Sequence, residues 1–281
     1  MITVTGATGN VGRALVELLA GAGEEVVAVS RRTQPARAVQ GVRWARADVG
    51  DAASMRPALA GARALFLLLG GELNIRGERP DALLEAAVDA GVEQVVLISS
   101  QAGATRPDAP AHARLRACEA AVRASGRNFT VLRPGGFASN AFAWAETVRT
   151  KRTVFAPFGD VALPVVDPAD IAAVAAAVLG EGGHAGRTYE LTGPEPISSR
   201  GQAAALSAAL GEEVAFVELS REDAHAHMAR FMPEEIVRGT LDVLGAPLPA
   251  EVRVSPDVET VLHRPARPFG EWAARNLPAF Q

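Results

Sequence analysis

The first half of the chain alternates short apolar segments with helical segments, and this alternation constrains the fold more than any other feature. The segments "MITVTG", "EEVVAVS", "ALFLLLGG" and "EQVVLISS" carry apolar residues in succession rather than at every second position. Such strands are buried on both faces, which requires a parallel sheet covered by helices. Right-handed crossovers then predict an α/β fold with a doubly wound parallel sheet.

The turn between the first strand and the first helix carries the sequence "VTGATGNVGRAL". Gly6 permits a tight turn, Gly9 lets a pyrophosphate approach the helix N-terminus, and Gly12 lets the helix pack closely on the strand. Glycines at this spacing, between a strand and a helix, predict a dinucleotide site. The predicted cofactor contacts in this turn are Gly6, Thr8, Gly9, Asn10, Val11 and Gly12.

The end of the second strand indicates which dinucleotide binds. An NAD-selective site places an acidic residue here for the ribose hydroxyls, whereas this chain has "SRR" at residues 30–32. The guanidinium groups of Arg31 and Arg32 suit a 2′-phosphate in charge and in shape. The sequence therefore favours NADP(H) as the cofactor, and the alternative is a solvated basic turn.

Further cofactor contacts are predicted where the next strands end. The carboxylate of Asp48 is suited to accept a hydrogen bond from the adenine amino group, and a role at the start of the following helix is an equal alternative. The glycines of "LLLGG" let the backbone pass beside the cofactor. The predicted contacts at these ends are Asp48, Val49, Leu69, Gly70 and Ser99.

The character of the sequence changes after residue 137. We predict a dinucleotide-binding domain over residues 1–137, with later strands and a helix at 168–180 packing back on it. Residues 138–281 mix aromatic, polar and proline residues and predict a smaller α+β lobe that binds substrate. A wall for a flat aromatic substrate and ordinary lobe packing are equal interpretations of its aromatic residues: Phe137, Phe142, Trp144, Phe155 and Phe158.

The composition of the chain indicates which classes of partner it can bind. A net charge of −4 gives no general attraction to nucleic acid or to an anionic membrane. The single cysteine, Cys118, cannot form an intramolecular disulfide, and we interpret it as a buried apolar residue. Because the sequence shows neither a signal peptide nor a long apolar run, we expect a cytoplasmic protein. We also expect it to bind a small molecule and to be a monomer or a weak homo-oligomer. No metal is expected at His225 and His227, because their spacing on a helix directs the two side chains apart.

Motifs spread over nearly the whole chain resemble those of the NmrA-like atypical short-chain dehydrogenases/reductases. These motifs are "TGATGNVG", "ARADVGD", "VVLISS", "RASGRNFTVLRPGGFASN", "VDPADIAAVAA" and "YELTGPEPIS". The resemblance implies a Rossmann domain with NADP across the carboxyl ends of its strands, and a C-terminal lobe that closes a substrate cleft. It also implies that the "LRPGGF" loop lies beside the nicotinamide, which carries over to Pro134, Gly135, Gly136 and Phe137.

The chain departs from the wider superfamily at the catalytic positions. Reductases of that superfamily use a serine after the fifth strand and a Tyr-x-x-x-Lys on the next helix, which we predict over residues 109–126. Counted from Glu119, the tyrosine and lysine positions fall on Ala111 and Leu115. No Tyr-x-x-x-Lys occurs in the chain, because the one tyrosine, Tyr189, precedes Gly193 by four residues. The nearest replacements are Ser100 and His112.

Three functions fit these residues. We favour an NADPH-dependent reductase of a carbonyl on an aromatic or polyketide-like molecule, in which positioning replaces the missing acid and a proton comes from solvent or from a substrate hydroxyl. A quinone reductase is the nearest alternative. An NADP(H)-sensing regulator without turnover is the second alternative, and an isomerase or epimerase is the third.

Overall fold

The computed structural model describes residues 1–31, 39–70 and 78–281. The strands within these residues are β1 (Ile2–Val4), β2 (Val26–Ser30), β3 (Val42–Arg46), β4 (Ala64–Leu68), β5 (Gln94–Ile98), β6 (Asn128–Pro134), β7 (Thr153–Pro157), β8 (Ala162–Leu163), β9 (Arg187–Leu191), β10 (Ile197–Ser198) and β11 (Ala215–Leu219). The helices are α1 (Asn10–Gly21), α2 (Ala52–Leu59), α3 (Pro80–Asp89), α4 (Gln101–Thr105), α5 (Ala113–Ala124), α6 (Ala145–Lys151), α7 (Pro168–Gly180), α8 (Ser199–Leu210), α9 (Arg221–Met228), α10 (Glu234–Gly245), α11 (Pro249–Val252), α12 (Asp257–Leu262) and α13 (Phe269–Arg275).

Seven of the strands in the described residues form one sheet, in the order β3-β2-β1-β4-β5-β6-β9. The pairs from β3 to β6 are all parallel. The chain runs outward from β1 in both directions, so the strand order reverses between β1 and β4, where α/β sheets bind their ligands. The prediction of a doubly wound α/β fold is confirmed.

Both faces of this sheet are covered, as its continuous apolar strands require. On one face, Val27, Leu65 and Leu97 pack among buried side chains of α2, α3 and α5. On the other face, α1 packs against α7. Hydrogen bonds from Arg63 to the Leu179 carbonyl (3.2 Å) and from Gln94 to the Val178 carbonyl (2.8 Å) hold the end of α7 against the sheet.

The chain divides into two compact units. Residues Met1–Pro134 and Pro168–Glu190 form the first, and Gly135–Asp167 and Leu191–Gln281 form the second. The second unit contains a parallel pair, β7 with β11, and an antiparallel pair, β8 with β10. Of the aromatic residues proposed for substrate contact, Phe142 packs within this unit, 5.0 Å from the ring of Trp272 and 6.0 Å from that of Phe280.

The segment after β5 is more broken than the predicted helix over residues 109–126. The short helix α4 comes first, then a 3₁₀ turn at Pro110–His112, and α5 begins only at Ala113. Proline has no N–H to donate, and here it opens the 3₁₀ turn that precedes the regular helix. Across the described residues, no helix combines the length and the apolar content that crossing a membrane would need.

Candidate cofactor-binding and active site

The cofactor residues selected at the ends of β1 to β4 lie along one edge of the sheet, apart from Arg32, which is outside the described residues, because parallel strands end on the same side. Hydrogen bonds connect these ends directly: the N–H of Ala7 donates to the Val29 carbonyl (3.2 Å), and the N–H of Ala47 donates to the Ser30 carbonyl (3.3 Å). The hydroxyl of Thr5 lies 2.8 Å from the N–H of Leu68, which donates to it. The ends of β1 to β4 therefore form one continuous rim.

The turn before α1 has the backbone form that a phosphate site requires. Gly6 has a φ of +63°, a conformation that glycine adopts without steric cost. A Cβ atom on Gly12 would lie 2.2 Å from the carbonyl oxygen of Gly6, so only glycine lets the helix approach this closely. Both observations agree with the predicted roles of the two glycines, which are a tight turn at Gly6 and close helix packing at Gly12.

The N-terminus of α1 is open to an anion. Gly9 is the N-cap residue and gives the helix no side-chain cap, and the first turn carries no acidic residue. Thr8, Gly9 and Asn10 are exposed. The first-turn N–H groups and the helix dipole therefore face outward without a competing carboxylate, which fits the pyrophosphate of a dinucleotide.

The basic residues at the end of β2 lie partly outside the described residues. Ser30 is buried, Arg31 is exposed, and Arg32 falls in the segment that the structure does not describe. The register of the sheet pairs Ser30 with Arg46, the exposed last residue of β3. Arg46 thus adds an exposed basic residue at the end of the strand next to β2. It is not among the residues predicted from the sequence, although its place at the end of the neighbouring strand was a usable signal.

Asp48 shapes the turn that follows β3. Its Oδ1 accepts a hydrogen bond of 2.9 Å from the N–H of Gly50, and its carbonyl accepts one from the Ser54 hydroxyl. The N-cap of α2 is Asp51, whose carboxylate accepts from the N–H groups of Ala53 and Ser54. The alternative of Asp48 as the cap itself is therefore wrong, and its contact with adenine stays a prediction.

A pocket lies behind the ends of β3 and β4. It is lined by two of the predicted cofactor residues, Val49 and Leu69, and by Leu67, Glu78, Arg79, Pro80, Leu83, Leu84, Arg114 and Cys118. Burial raises the pKa of the Cys118 thiol to about 11, so the thiol stays protonated at neutral pH and is not a nucleophile. The interpretation of Cys118 as a buried apolar residue is confirmed.

A buried ion-pair cluster lies behind the ends of β5 and β6, and we call it the Glu119 cluster (Ser99, Glu119, Arg123 and Arg133). The Ser99 hydroxyl donates to Oε1 of Glu119 at 2.6 Å. Arg133 donates twice, from Nε to Oε1 (2.9 Å) and from Nη2 to Oε2 (2.6 Å), and Arg123 donates to Oε2 at 2.9 Å. Sequence analysis used Glu119 only to count positions and assigned Ser99 to the cofactor, so it missed this cluster.

The electrostatics of the Glu119 cluster keep its carboxylate ionised. Burial by itself would raise the pKa of Glu119, but hydrogen bonds from Arg133, Ser99 and Arg123 outweigh it and lower the pKa to about 2. The pKa of Arg133 is raised, chiefly by the same hydrogen bonds. Glu119 is therefore a fixed anion at any physiological pH and not a proton donor.

The two candidate catalytic residues both lie close to Gly103. A Cβ atom built on Gly103 would be 3.6 Å from Cβ of His112 and 3.9 Å from Cβ of Ser100. The broken segment between β5 and α5 thus brings together two side chains that are twelve positions apart in the sequence. Their roles in catalysis stay predictions.

The positions that would hold the tyrosine and the lysine carry buried apolar residues. Ala111 and Leu115 are 4% and 7% exposed. Leu115 packs in the same apolar cluster as Leu67, Leu83 and Leu97. A tyrosine–lysine pair is thus replaced by buried apolar packing, and neither residue can move a proton.

The loop after β6 is held by its backbone. The N–H of Gly135 donates to the Leu191 carbonyl (2.9 Å), the carbonyl of Gly136 accepts from the N–H of Val166 (2.8 Å), and Phe137 forms a parallel bridge with Val166. These bonds fix the course of the loop that the resemblance places beside the nicotinamide. The contacts of Pro134, Gly135 and Phe137 with a cofactor stay predictions.

The sequence of residues 6–181 matches the family described as NAD(P)H-binding. The chain belongs to this family. The prediction that a nicotinamide dinucleotide is its cofactor is confirmed. The turn and the helix N-terminus described above are the part of the structure that fits the cofactor's phosphates.

Two relatives that match over the full length are reductases. The chain is 39% identical to (4-alkanoyl-5-oxo-2,5-dihydrofuran-3-yl)methyl phosphate reductase of Streptomyces griseus, over 100% of this chain and 99% of that protein. It is 34% identical to an NAD(P)H azoreductase of Xenophilus azovorans, again over 100% and 99%. The prediction of an NAD(P)H-dependent oxidoreductase is confirmed.

Solved structures show the same fold. An NADPH-dependent quinone oxidoreductase of Escherichia coli, solved with NADPH, has a TM-score of 0.82 at 29% identity and covers 99% of this chain and 100% of its own. NmrA, a negative transcriptional regulator solved with NADP, has a TM-score of 0.76 at 21% identity and covers 99% and 95%. At that identity NmrA shows the fold alone.

Proposed function

We propose that the protein is an NADPH-dependent reductase of a small, electron-poor molecule whose carbonyl is conjugated, as in a quinone. When bound, the cofactor supplies a hydride. The observation that carries the proposal is the burial of Ala111 and Leu115 at the positions where related reductases hold their acid and its lysine. These two positions therefore supply neither a tyrosine acid nor a lysine.

The acceptor itself decides whether a proton donor is needed. Reduction of an isolated ketone leaves a localised alkoxide, which is strongly basic and needs an acid in the transition state. Reduction of a conjugated acceptor leaves a charge spread over several atoms, which water can protonate after the chemical step. A site that offers packing and position, and no tyrosine acid, suits the second class.

The relatives support this class of acceptor. Their names describe a quinone, an azo compound and a dihydrofuran ring, whose double bond is conjugated with two carbonyls. Each is a conjugated, electron-poor group, although the three differ in size and in polarity. The common element is the electronic character of the acceptor rather than its shape, and an aromatic polyketide with a quinone ring would share it.

NADPH is proposed over NADH because of charge at the end of β2. Arg31 is exposed there, and Arg46 stands on the neighbouring strand in register with Ser30. Guanidinium groups bind a phosphate through paired N–H donors, and a 2′-phosphate is the one group that distinguishes the two cofactors.

The test compares acceptors of different electronic character at equal concentration. NADPH consumption is followed by absorbance with a benzoquinone, an α,β-unsaturated lactone and a saturated ketone. We expect turnover with the conjugated acceptors and none above background with the saturated ketone. Equal turnover of the saturated ketone would contradict the proposal, and tight NADPH binding without any turnover would favour the sensing function instead.

A further inference from the structure

The Glu119 cluster joins the ends of two adjacent strands through one carboxylate. Ser99 is the residue directly after β5, and Arg133 is the next-to-last residue of β6. Both donate to Glu119, which lies on α5. The helix therefore carries an anion that is bonded to both strand ends at once.

The geometry of this junction is stiff. Arg133 binds Glu119 with two parallel N–H donors, which fixes the plane of the guanidinium as well as its distance. A backbone bond of 2.8 Å from the Ser99 N–H to the Leu132 carbonyl closes the same junction from the strand side. Movement of either strand end would break bonds to a carboxylate that is buried and ionised, which is costly.

The residues next in sequence are those assigned to the reaction. Ser100 follows Ser99, and Pro134 follows Arg133. We propose that Glu119 is a positioning residue, which acts through Ser99 and Arg133 to hold Ser100 and Pro134 in the arrangement that the reaction needs. The inference rests on the proposed function for its reaction, and on the Glu119 cluster alone for its geometry.

The two arginines of the Glu119 cluster differ in how far their side chains are exposed to solvent. The Arg133 side chain is 23% exposed, whereas Arg123 is 39% exposed and lies one helical turn along α5 from Glu119. An exposed pair within a helix contributes little, and Arg123 is bonded to neither strand end. The positioning effect is therefore assigned to the bonds from Ser99 and Arg133. A substitution of Arg123 serves as a control, because it removes a bond to Glu119 that does not reach a strand end.

The experiment compares Glu119→Gln with Val122→Ala in the whole protein. Val122 lies on the same helix, is fully buried and packs in the apolar core, so its substitution weakens α5 without removing a hydrogen bond of the junction. Single-turnover reduction of a quinone and the dissociation constant of NADPH are measured for each. We expect Glu119→Gln to slow the single turnover by about tenfold to a hundredfold, as small misplacements do, with little change in NADPH affinity. We expect Val122→Ala to lower thermal stability, and we expect both Val122→Ala and Arg123→Ala to keep the single-turnover rate.

A conservative variant tests whether the two parallel N–H donors of Arg133 are needed. Arg133→Lys keeps the positive charge and loses the paired donors, so it should slow the single turnover as Glu119→Gln does. If Glu119→Gln fails to fold, Ser99→Ala removes one neutral donor, leaves the ion pairs in place, and should also slow the single turnover. A folded Glu119→Gln protein with the native single-turnover rate would overturn the proposal.

A second readout keeps the inference separate from the proposed function. The fluorescence of bound NADPH depends on the surroundings of its nicotinamide and needs no acceptor. We expect Glu119→Gln to change this emission and Val122→Ala to leave it unchanged, even if the native protein reduces none of the acceptors. Unchanged emission in Glu119→Gln would overturn the positioning role, whereas failure of the native protein to reduce acceptors would overturn only the proposed function.

Discussion

A Cβ atom added to Gly12 would lie 2.2 Å from the carbonyl oxygen of Gly6 and 2.7 Å from its carbonyl carbon. Both contacts are with backbone atoms of the turn that precedes α1, which cannot rotate away as a flexible side chain can. The close approach of the helix to the turn therefore depends on a missing methyl group.

Gly12→Ala should destabilise the protein and weaken dinucleotide binding together. Overpacking of this kind costs about 1–3 kcal/mol, because the turn must shift to admit the methyl group. Gly21→Ala is the matched control, since Gly21 ends the same helix and a Cβ there meets nothing within 4 Å. Chemical denaturation and NADPH titration of both variants test this, and equal effects of the two substitutions would contradict it.

Gly9→Val should abolish cofactor binding without unfolding the protein. Gly9 has extended backbone angles that valine adopts, and a Cβ there would approach only the Gly6 carbonyl oxygen, at 3.3 Å. The remainder of a branched side chain would stand where the helix N-terminus meets a phosphate. Calorimetric titration of a folded Gly9→Val protein is the measurement, and native affinity would show that the turn does not hold the pyrophosphate.

Cofactor preference should depend on the arginines that follow β2. The double variant Arg31→Ala/Arg32→Ala should lose about 2–4 kcal/mol of NADPH binding, with little loss for NADH, because only NADPH carries the 2′-phosphate. Arg149→Ala removes an exposed arginine from α6 and is the control for net charge. If the native protein binds NADH and NADPH equally well, the assignment of these arginines is wrong.

The Glu119 cluster should give the protein a stability that is lost in acid. The folded-state pKa of Glu119 is lowered from 4.5 to about 2, so its contribution is complete above pH 4.5 and declines as the pH falls towards 2. A shift of this size corresponds to about 3 kcal/mol of unfolding free energy. Glu119→Gln should lose this pH-dependent part, whereas Glu146→Gln, on the exposed surface of α6, should keep it. Urea denaturation between pH 2 and pH 6 measures the difference, and a native pH profile in Glu119→Gln would contradict it.

The residues that the sequence predicted well are those whose roles depend on local backbone geometry. Gly6 and Gly12 are required within a span of seven residues that covers the turn and the start of α1. The consecutive apolar residues of β2 and β5 are required in any strand that is buried on both faces. Both requirements are met within one segment, so one segment is enough to reveal them.

The residues that the sequence missed depend on contacts between distant segments. Ser99 and Arg133 are 20 and 14 positions from Glu119, and their meeting depends on the register of β5 against β6 and on where α5 begins. The start of α5 was itself misplaced, because Pro110 opens a 3₁₀ turn ahead of the helix. Arg46 was missed for a similar reason, since only the pairing of β2 with β3 sets it beside Ser30.

Reduction at this site also needs a source for the proton. Ser100 and His112 both lie close to Gly103 and carry groups that can orient a carbonyl or relay a proton, whereas Ala111 and Leu115 are buried and apolar. A dedicated general acid contributes about 10²–10⁴-fold to a rate. If position and the acceptor's own delocalisation replace it, Ser100→Ala and His112→Ala should each lower the turnover of a quinone by less than about tenfold, or about 1.4 kcal/mol.

Changing the acceptor should cost more than changing either residue. A quinone with a neighbouring phenol can stabilise its reduced form through an internal hydrogen bond, and its methyl ether cannot. We therefore expect the methyl ether to be reduced more slowly by the native protein, by a larger factor than either substitution produces. Steady-state rates of NADPH consumption compare the four cases, with NADPH affinity measured alongside. A thousandfold loss in His112→Ala at native affinity would instead identify His112 as the acid, because a loss of that size is what removal of a general acid produces.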